Sequence, residues 1–500
     1  MAERPVILTK PTLDKDLDKL TYVEGAAEHV GKYLVGPGFA LVFLGLAMLF
    51  AGTYVLGRPG STLVIAGVAL AGYMAINIGA KDVANTVGAA VGARAIGMGQ
   101  ALAMAAIFEV LGATVAGGPV VRTISSRIVD TTQIANSGLL AWVMISALTA
   151  AAVWINLATW LKAPVSTTHA IVGAVIGAGV AAVGIEPIHW RVVLEISVTW
   201  MVTPLLGGII AAGFLYLIKT FIIYRADKIQ AARFWIPILT GIMAGAFSAY
   251  LLLALSRDHH LAAGTELSAG LAVGLAVWLA ARPLVARQSV GLENKNSALR
   301  SLFRLPLIFS AALLSFAHGA NDVANAIGPL AAIVRSAGMA DSLAPGVSPF
   351  WVVLIGGCGM SVGVLLFGPR LIRLVGEQIT KLNPMRGYCV ALSAALTVIV
   401  ASWFGLPVSS THIAIGAVFG VGFFREWYTR NSRRRVAYMR MKAERWDIEE
   451  QDEHNPDEIR RRRLVRRSHF MTIVGAWIVT VPAAAMLAAT VYWLMVALVI

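Results

Sequence analysis

The sequence has little charge and almost no cysteine. Charged residues make up 14% of the 500 residues, whereas soluble chains are about one quarter charged, so too few polar residues are present to cover soluble domains. The two cysteines, Cys358 and Cys389, lie in apolar stretches and indicate neither a disulfide framework nor a zinc site. The polar segment that ends near Lys32 also lacks the pattern of a cleaved signal peptide.

Hydrophobic residues are abundant, at 58% of the chain, with a mean hydropathy of +0.74. Apolar stretches of roughly 17–25 residues can cross a bilayer as helices. The sequence therefore predicts an all-α, polytopic membrane protein with about 12–13 hydrophobic segments. They centre on residues 36–56, 61–80, 98–120, 138–161, 166–184, 193–218, 236–256, 264–281, 305–333, 351–367, 387–404, 408–424 and 470–498.

Three of these segments have features of broken or re-entrant helices. The segments 166–184 and 408–424 are short and rich in glycine, and each begins within a Pro-Val-Ser sequence. The long segment 305–333 contains Gly-Ala-Asn-Asp. Irregular backbone at membrane depth is tolerated only where it is buried in protein or lines a cavity. We therefore expect these segments to surround a functional site.

The basic residues predict the orientation of the chain. Lys and Arg number 34 in the loops on the side of the N-terminus and 6 on the other side, with Lys81 set apart. The positive-inside rule then places the N-terminus in the cytoplasm and the C-terminus outside, in a cell inner (plasma) membrane. We interpret the basic loop 425–467 as a solvated loop facing anionic headgroups; regulatory or nucleic-acid binding is the less favoured alternative, and no nucleic-acid partner is expected.

Two motifs occur twice, in the same order. Residues 79–88, Gly-Ala-Lys-Asp-Val-Ala-Asn-Thr-Val-Gly, return at an offset of 240 as residues 319–328, Gly-Ala-Asn-Asp-Val-Ala-Asn-Ala-Ile-Gly. Residues 164–169, Pro-Val-Ser-Thr-Thr-His, return at an offset of 243 as residues 407–412, Pro-Val-Ser-Ser-Thr-His. The near-constant offset indicates an internal repeat.

Seven segments separate the starts of the two repeats, and this odd number places them in opposite orientations in the membrane. Trp200 and Trp477, each followed by Thr and Pro, form a weaker third pair. Inverted repeats around a midplane site are typical of secondary transporters. The predicted divisions are a polar cytoplasmic N-terminus 1–35, an additional N-terminal span 36–60, a first transport repeat 61–220, connecting spans and basic loops 221–301, the first part of a second transport repeat 302–424, a cytoplasmic hydrophilic loop 425–469 and the last span of the second repeat 470–500.

The paired motifs resemble the signatures of the inorganic phosphate transporter (PiT) family, from about Ser61 to the C-terminus. The resemblance implies import of inorganic phosphate by symport with Na⁺ or H⁺, with no other cofactor, in a homodimer of inverted-repeat subunits within the lipid bilayer. Some bacterial relatives of this family carry sulfate, so a sulfate or other tetrahedral-oxyanion permease is the alternative.

The second motif supplies hydroxyl groups at helix starts. A buried phosphate needs helix N-termini, hydroxyl donors or cations around it. Hydroxyl residues directly after Pro-Val favour such N-termini, although the same residues could serve only as helix caps. The predicted phosphate ligands are Ser166, Thr167, Thr168, Ser409, Ser410 and Thr411, together with Asp82 and Asp322.

The first motif supplies carboxylates and amides three residues apart, on one helix face. Asp82 with Asn85, and Asp322 with Asn321 and Asn325, are the predicted cation-coupling residues, and the second set is a possible Na⁺ site. A buried structural Asp–Asn pair is the alternative. We further expect Gly79, Gly88, Gly319 and Gly328 to permit unwound backbone whose carbonyls complete the cation shell.

Lys81 departs from the family pattern, which has Asn at this position, as at Asn321. The ammonium could act as a fixed cation beside Asp82, or it could extend towards the cytoplasmic surface without contributing to the site. His169 and His412 are possible contacts for a proton or phosphate. His318 and Glu109 rank lower, with Glu109 interpreted as structural.

Two other functional classes fit the sequence less well. Ser166, His169 and Asp82 could imitate a hydrolase triad, but Ser166 is not in a Gly-x-Ser-x-Gly elbow and the set is duplicated. A channel would also use broken helices, but carboxylates in an anion pathway are better explained as coupling sites. Phosphate is favoured over sulfate because a carboxylate can accept the hydrogen bond that only phosphate donates.

Overall fold

A computed structural model describes residues 34–130, 137–161, 163, 165–256, 264–340, 347–376, 383–433, 435, 437 and 467–498. Within these ranges the chain is helical and has no β-strand, apart from one isolated bridge between Val129 and Ile188. The all-α prediction is confirmed. The predictions for residues 1–33, for Pro164 and for most of the loop 425–469 fall outside the described residues.

The first half of the chain forms helices α1 to α8. They are α1 Leu34–Val55, α2 Ser61–Thr86, α3 Gly88–Gly92, α4 Met98–Ala116, α5 Gly118–Arg122, α6 Ser137–Trp160, α7 Thr167–Val183 and α8 Trp190–Ile218. Single π-helical turns, Thr123–Arg127 and Lys219–Ile223, continue α5 and α8.

The remaining described residues form helices α9 to α17. They are α9 Lys228–Leu255, α10 Thr265–Gln288, α11 Asn296–Leu302, α12 Arg304–Asp322, α13 Ala324–Ser336, α14 Phe350–Gly376, α15 Pro384–Trp403, α16 Ser410–Asn431 and α17 Arg467–Leu498. All thirteen predicted hydrophobic segments coincide with these helices.

Eleven helices in the described part of the chain are long and apolar enough to cross a membrane, with α12 and α13 counted as one. Helix α7 is apolar but has only 17 residues, which matches the prediction of a short segment. Helix α10 and residues 474–498 of α17 have few fully buried side chains, as expected of surfaces that face lipid.

The helices of one half pack against those of the other. Helix α2 packs on α14 and α12 packs on α4, while α7 packs on α17 and α16 packs on α8. Each of these four pairs therefore contains one helix from the first repeat and one helix from the second repeat. This exchange brings the two repeated motifs together in one core.

The motif glycines allow close helix packing, and the prediction that they unwind the backbone is wrong at Gly79 and Gly319. A Cβ atom at Gly79 would lie 2.0 Å from the carbonyl oxygen of Met360, and one at Gly319 would lie 2.1 Å from that of Glu109. Helices α2 and α12 continue through both positions, because a residue without a side chain permits this contact without leaving the helix. The interruptions fall later, at Val87 and Val323.

These two contacts also align the remaining helices. Since Gly79 and Gly319 are equivalent, Met360 on α14 corresponds to Glu109 on α4. Two further glycines confirm the alignment. Gly112 lies three residues after Glu109 and Gly363 lies three residues after Met360, and they make matching contacts with the main chain of α12 and α2.

Candidate functional site

The N-termini of α7 and α16 are fixed by their first serine. Ser166 and Ser409 have extended backbone, with φ,ψ of −90°,131° and −93°,106°. Their hydroxyl oxygens accept hydrogen bonds from the main-chain N–H groups of His169, at 3.2 Å, and His412, at 3.3 Å. These are N-cap bonds, so both serine hydroxyls cap the starts of their helices. The hydroxyl residues that follow them face the site.

Asp82 is buried and accepts hydrogen bonds from hydroxyls of both halves. The hydroxyl of Thr411 donates to Asp82 Oδ1 at 2.7 Å, and that of Thr167 lies 3.4 Å from Oδ2. The amide of Asn85 donates to Asp82 Oδ1 at 3.1 Å and to Thr411 Oγ1 at 3.0 Å. The predicted Asp82–Asn85 pair therefore reaches across to the second half of the chain.

Asp322 is in a related environment. Ser410 donates to Asp322 Oδ2 at 2.6 Å, and the hydroxyl of Thr168 lies 3.4 Å from Oδ1. Asn325 donates to Thr168 Oγ1 at 3.1 Å, as Asn85 does to Thr411. The Oδ1 atom of Asn325 is buried and has no hydrogen-bond partner, so it is an acceptor that a cation or a donor could satisfy.

Asn321 and Lys81 form hydrogen bonds with the segments that precede α16 and α7. Asn321 accepts from the N–H of Val408 at 3.1 Å and donates to the carbonyl of Leu406 at 3.2 Å. The ammonium of Lys81 donates to the carbonyl of Val165. The structure thus separates Asn321 from the Asp322–Asn325 set with which the sequence groups it.

His318 lies between three buried carboxylates, an arrangement that the sequence reasoning missed. Its Nε2 atom lies 3.0 Å from Asp322 Oδ2 and 3.8 Å from Asp82 Oδ2. Its Nδ1 atom is hydrogen-bonded to Glu109 Oε1 at 3.0 Å. The sequence does carry one signal for this pair, since His318 and Glu109 are ionisable residues in apolar spans and therefore need partners. It does not indicate that they are each other's partner, because 209 residues separate them.

The pair of His318 and Glu109 has no ionisable equivalent at the positions that the internal repeat relates to it. The positions that correspond to them are Ile78 and Met360, both buried and apolar. Glu109 Oε2 is buried and has no hydrogen-bond partner. The two halves of the site are therefore chemically different although their backbones are related.

His169 and His412 meet at the centre of the core. Their rings lie edge to face with centroids 4.6 Å apart. Trp200 packs on His169 at 3.9 Å and Trp477 packs on His412 at 4.1 Å, which confirms the weak tryptophan repeat. No ring nitrogen of either histidine has a hydrogen-bond partner among the described residues.

The buried oxygens and hydroxyls could bind two kinds of ligand. Oxygen atoms of Asp82 and Asp322 and a nitrogen of His318 lie within 4.8 Å of one another, which is close enough to share a cation or a proton. The hydroxyls of α7 and α16 and the two helix N-termini are donors suited to a tetrahedral anion. In the structure these groups contact one another directly.

The residues of a hydrolase triad are present but not arranged as one. Ser166 caps α7, and the ring of His169 contacts Trp200 rather than a serine or a carboxylate. Ser361, which lies between Gly359 and Gly363 with elbow-like spacing, is inside α14 and donates to the carbonyl of Ala106 at 2.7 Å. Neither serine has an activating base.

Comparisons with known proteins agree with this arrangement. A model of the phosphate transporter family PHO4 matches residues 78–488. A Helicobacter pylori J99 protein provisionally named a phosphate permease is 40% identical, over 94% of this chain and 96% of its own. A Pyrococcus abyssi protein, also provisionally named a phosphate permease, is 36% identical over 70% of this chain and 86% of its own.

A solved structure is also similar. It is titled the sodium-dependent phosphate transporter, and it superposes with a TM-score of 0.75 at 33% identity. The match covers 88% of this chain and all of the other chain.

Proposed function

Because this chain belongs to the phosphate transporter family, whose members are transporters rather than enzymes, we propose that it is a symporter that imports inorganic phosphate. The coupled cation binds at the carboxylates Asp82 and Asp322, and phosphate binds beside it at the hydroxyls of α7 and α16. Import is the direction that the family resemblance implies, and the N-terminus is predicted to lie in the cytoplasm.

One observation carries this proposal. Two buried carboxylates, Asp82 and Asp322, come from equivalent helices of inverted repeats, and each faces hydroxyl donors from both repeats. Buried carboxylates are costly without a cation or proton. A cation that neutralises them would also offset the charge of an adjacent phosphate, so neither ligand is expected to bind well without the other.

The same carboxylates support phosphate over sulfate. Near neutral pH phosphate retains a proton that it can donate, and sulfate does not. A site with a carboxylate acceptor would leave that acceptor unpaired against sulfate, which is a source of strong discrimination. Lys81 donates to a main-chain carbonyl rather than to Asp82, so its ammonium does not compete with a ligand for hydrogen bonds to the Asp82 oxygens.

We propose sodium as the coupling ion. The unpartnered Oδ1 atom of Asn325 lies in the same buried cluster as Asp322 and the Thr168 hydroxyl, and together they offer the oxygen ligands that a hard cation prefers. Pro329, four residues after Asn325, cannot donate to the main-chain carbonyl of Asn325, which leaves a further oxygen available. The solved relative is named as sodium-dependent.

Proton coupling is the second candidate, and the position of His318 favours it. An imidazole within 3.8 Å of Asp82 and Asp322 could pair with both carboxylates when protonated, and its single positive charge would offset one of their two negative charges. In that case Na⁺ would be unnecessary at the site.

Alternating access requires the two halves to separate at the site. The hydrogen bonds from Thr411 to Asp82 and from Ser410 to Asp322 are 2.7 Å and 2.6 Å long, so they must break or take a ligand between them as the substrates enter. The homodimer implied by the family resemblance remains a prediction.

The test is uptake of labelled phosphate into liposomes that contain the purified protein. A sodium gradient and a proton gradient are imposed separately, each with and without excess unlabelled sulfate. We expect uptake that is driven by the sodium gradient and unaffected by sulfate. Uptake driven only by protons would select the second candidate, and the absence of phosphate uptake by folded protein would refute phosphate symport.

A further inference from the structure

A second cluster of polar side chains lies outside the proposed transport site. It lines a cavity of about 220 Å³ that includes Lys219, Arg300, Arg386 and Arg425. The lining residues that the structure describes contain no acid. None of these residues belongs to the repeated motifs.

The four cations come from separate elements. Lys219 follows α8, Arg300 is on α11, Arg386 is in the first turn of α15 and Arg425 is on α16. They are as far apart in sequence as 206 residues, from 219 to 425, so the fold itself brings them together. Like charges that converge on a partly enclosed space repel one another, and a bound anion would reduce this repulsion.

Lys219 is the most enclosed of the four, with 8% of its surface exposed. Its ammonium lies 4.3 Å from the ring centroid of Tyr428 and 5.5 Å from that of Phe424. These cation–π contacts position the ammonium without using its hydrogen-bond donors. Among the described residues it has neither a hydrogen bond nor an ion pair, so all three donors remain available to a ligand.

The N-terminus of α15 adds positive potential at the same place. Asn383 caps this 20-residue helix and Pro384 is its first residue. Asn383 Oδ1 accepts from the N–H of Arg386 at 2.9 Å and from its Nε at 3.2 Å, which orients the guanidinium beside the helix terminus. A helix N-terminus combined with arginine is a common way to bind phosphate groups.

We propose that this cavity is a binding site for a phosphate-bearing anion, held by Lys219, Arg300, Arg386 and Arg425 at the N-terminus of α15. Two sources have this chemistry. One is the headgroup of an anionic phospholipid, which basic pockets between transmembrane helices bind. The other is free inorganic phosphate on the side of the membrane that the loop charges assign to the cytoplasm.

A ligand here would connect helices that also build the transport site. Helix α15 packs on α12, which carries Asp322, and α16 begins at Ser410. Because one anion would contact α8, α11, α15 and α16 together, its binding stabilises the arrangement of these helices. The site uses none of the transport-site residues, so its test is independent of the proposed symport.

The experiment measures ligand-dependent thermal stability of the full chain in lipid nanodiscs. One arm titrates inorganic phosphate into nanodiscs of phosphatidylcholine alone, and the other compares these with nanodiscs that also contain phosphatidylglycerol. The cavity variants are Arg300→Gln with Arg386→Gln, and Lys219→Gln. The matched control is Arg287→Gln, at an exposed arginine in the last turn of α10, which loses one positive charge as Lys219→Gln and Arg300→Gln alone each do.

We expect the arginine variant to bind its ligand about tenfold more weakly or worse, since each lost charge-assisted bond is equivalent to at least that factor. A reduced phosphate-dependent shift identifies free phosphate as the ligand, and a reduced phosphatidylglycerol-dependent shift identifies the lipid. Shifts equal to those of Arg287→Gln in both arms would overturn the proposal. If Lys219→Gln does not fold, Arg300→Gln alone decides the result, because Arg300 is exposed.

Discussion

Lys81 and Asn321 occupy equivalent positions in the two halves and hydrogen-bond to equivalent segments. Lys81 donates to the carbonyl of Val165 before α7, and Asn321 accepts from the N–H of Val408 before α16. An ammonium therefore performs in the first half the anchoring task that an amide performs in the second. This relationship gives Lys81 an anchoring role that the sequence alone does not indicate.

Lys81→Asn is expected to keep uptake and to leave its sodium dependence unchanged, because an amide does the same task at Asn321. Lys81→Leu removes the donor and leaves the Val165 carbonyl unpaired, which should cost about 1–3 kcal/mol of stability. Thermal unfolding in detergent and sodium-dependent uptake check both variants. A rise in sodium dependence in Lys81→Asn would instead make Lys81 a fixed cation of the site.

His318→Ile alone and Glu109→Met alone are each expected to destabilise the protein by about 3–5 kcal/mol, because each leaves one buried polar partner uncompensated. The double variant recreates the apolar pair of Ile78 and Met360 and should recover most of this loss. We expect it to fold and yet to transport poorly, since it lacks the imidazole beside Asp82 and Asp322. Thermal unfolding and phosphate uptake of all three variants are the measurements.

Full uptake by a stable double variant would reduce His318 and Glu109 to structural residues. Single variants as stable as the wild type would show that the two side chains do not interact.

Gly79→Ala is expected to impair folding, because its Cβ atom would lie 2.0 Å from the carbonyl oxygen of Met360. Displacing a neighbouring backbone typically costs about 1–3 kcal/mol or more. Gly88→Ala is the matched control in the same motif, since nothing lies within 4 Å of the added atom. The folded yield after size-exclusion chromatography compares them, and equal yields would contradict the packing role of Gly79.

Thr411→Val is expected to raise the KM for phosphate about tenfold or more, because it removes a hydroxyl that Asp82 and Asn85 both contact. Thr114→Val is the control, since the Thr114 hydroxyl bonds to the Val110 carbonyl in its own helix. Uptake kinetics in liposomes distinguish them. A KM unchanged in both variants would remove the α16 hydroxyls from the substrate site.

The architecture could be predicted from the sequence because its signals are local or repeated. Apolar stretches located every membrane helix, and two motifs at offsets of 240 and 243 located the carboxylates and the hydroxyls. Proline followed by Val-Ser correctly indicated the start of α7 and α16, since Ser166 and Ser409 are N-caps.

The details of the site depend on contacts between the two halves of the chain, and these contacts cannot be identified from a single sequence. Asn321 and Asp322 are adjacent in the chain, yet one holds the segment before α16 and the other faces Ser410. The pairing of His318 with Glu109 joins helices that periodicity cannot place side by side. The sequence predicts unwinding at Gly79 and Gly319 because their effect on packing depends on the facing helix, which a single sequence does not identify.

The most direct test of coupling at the carboxylates compares wild type and Asp322→Asn in parallel liposomes, with an inward sodium gradient and labelled phosphate at equal concentration on both sides. Glu195→Gln, at a partly exposed glutamate paired with Arg191, controls for the loss of one carboxylate. We expect wild type and Glu195→Gln to accumulate phosphate above the external concentration, and folded Asp322→Asn to show no accumulation. Accumulation by Asp322→Asn at the wild-type rate would contradict a coupling role for this carboxylate.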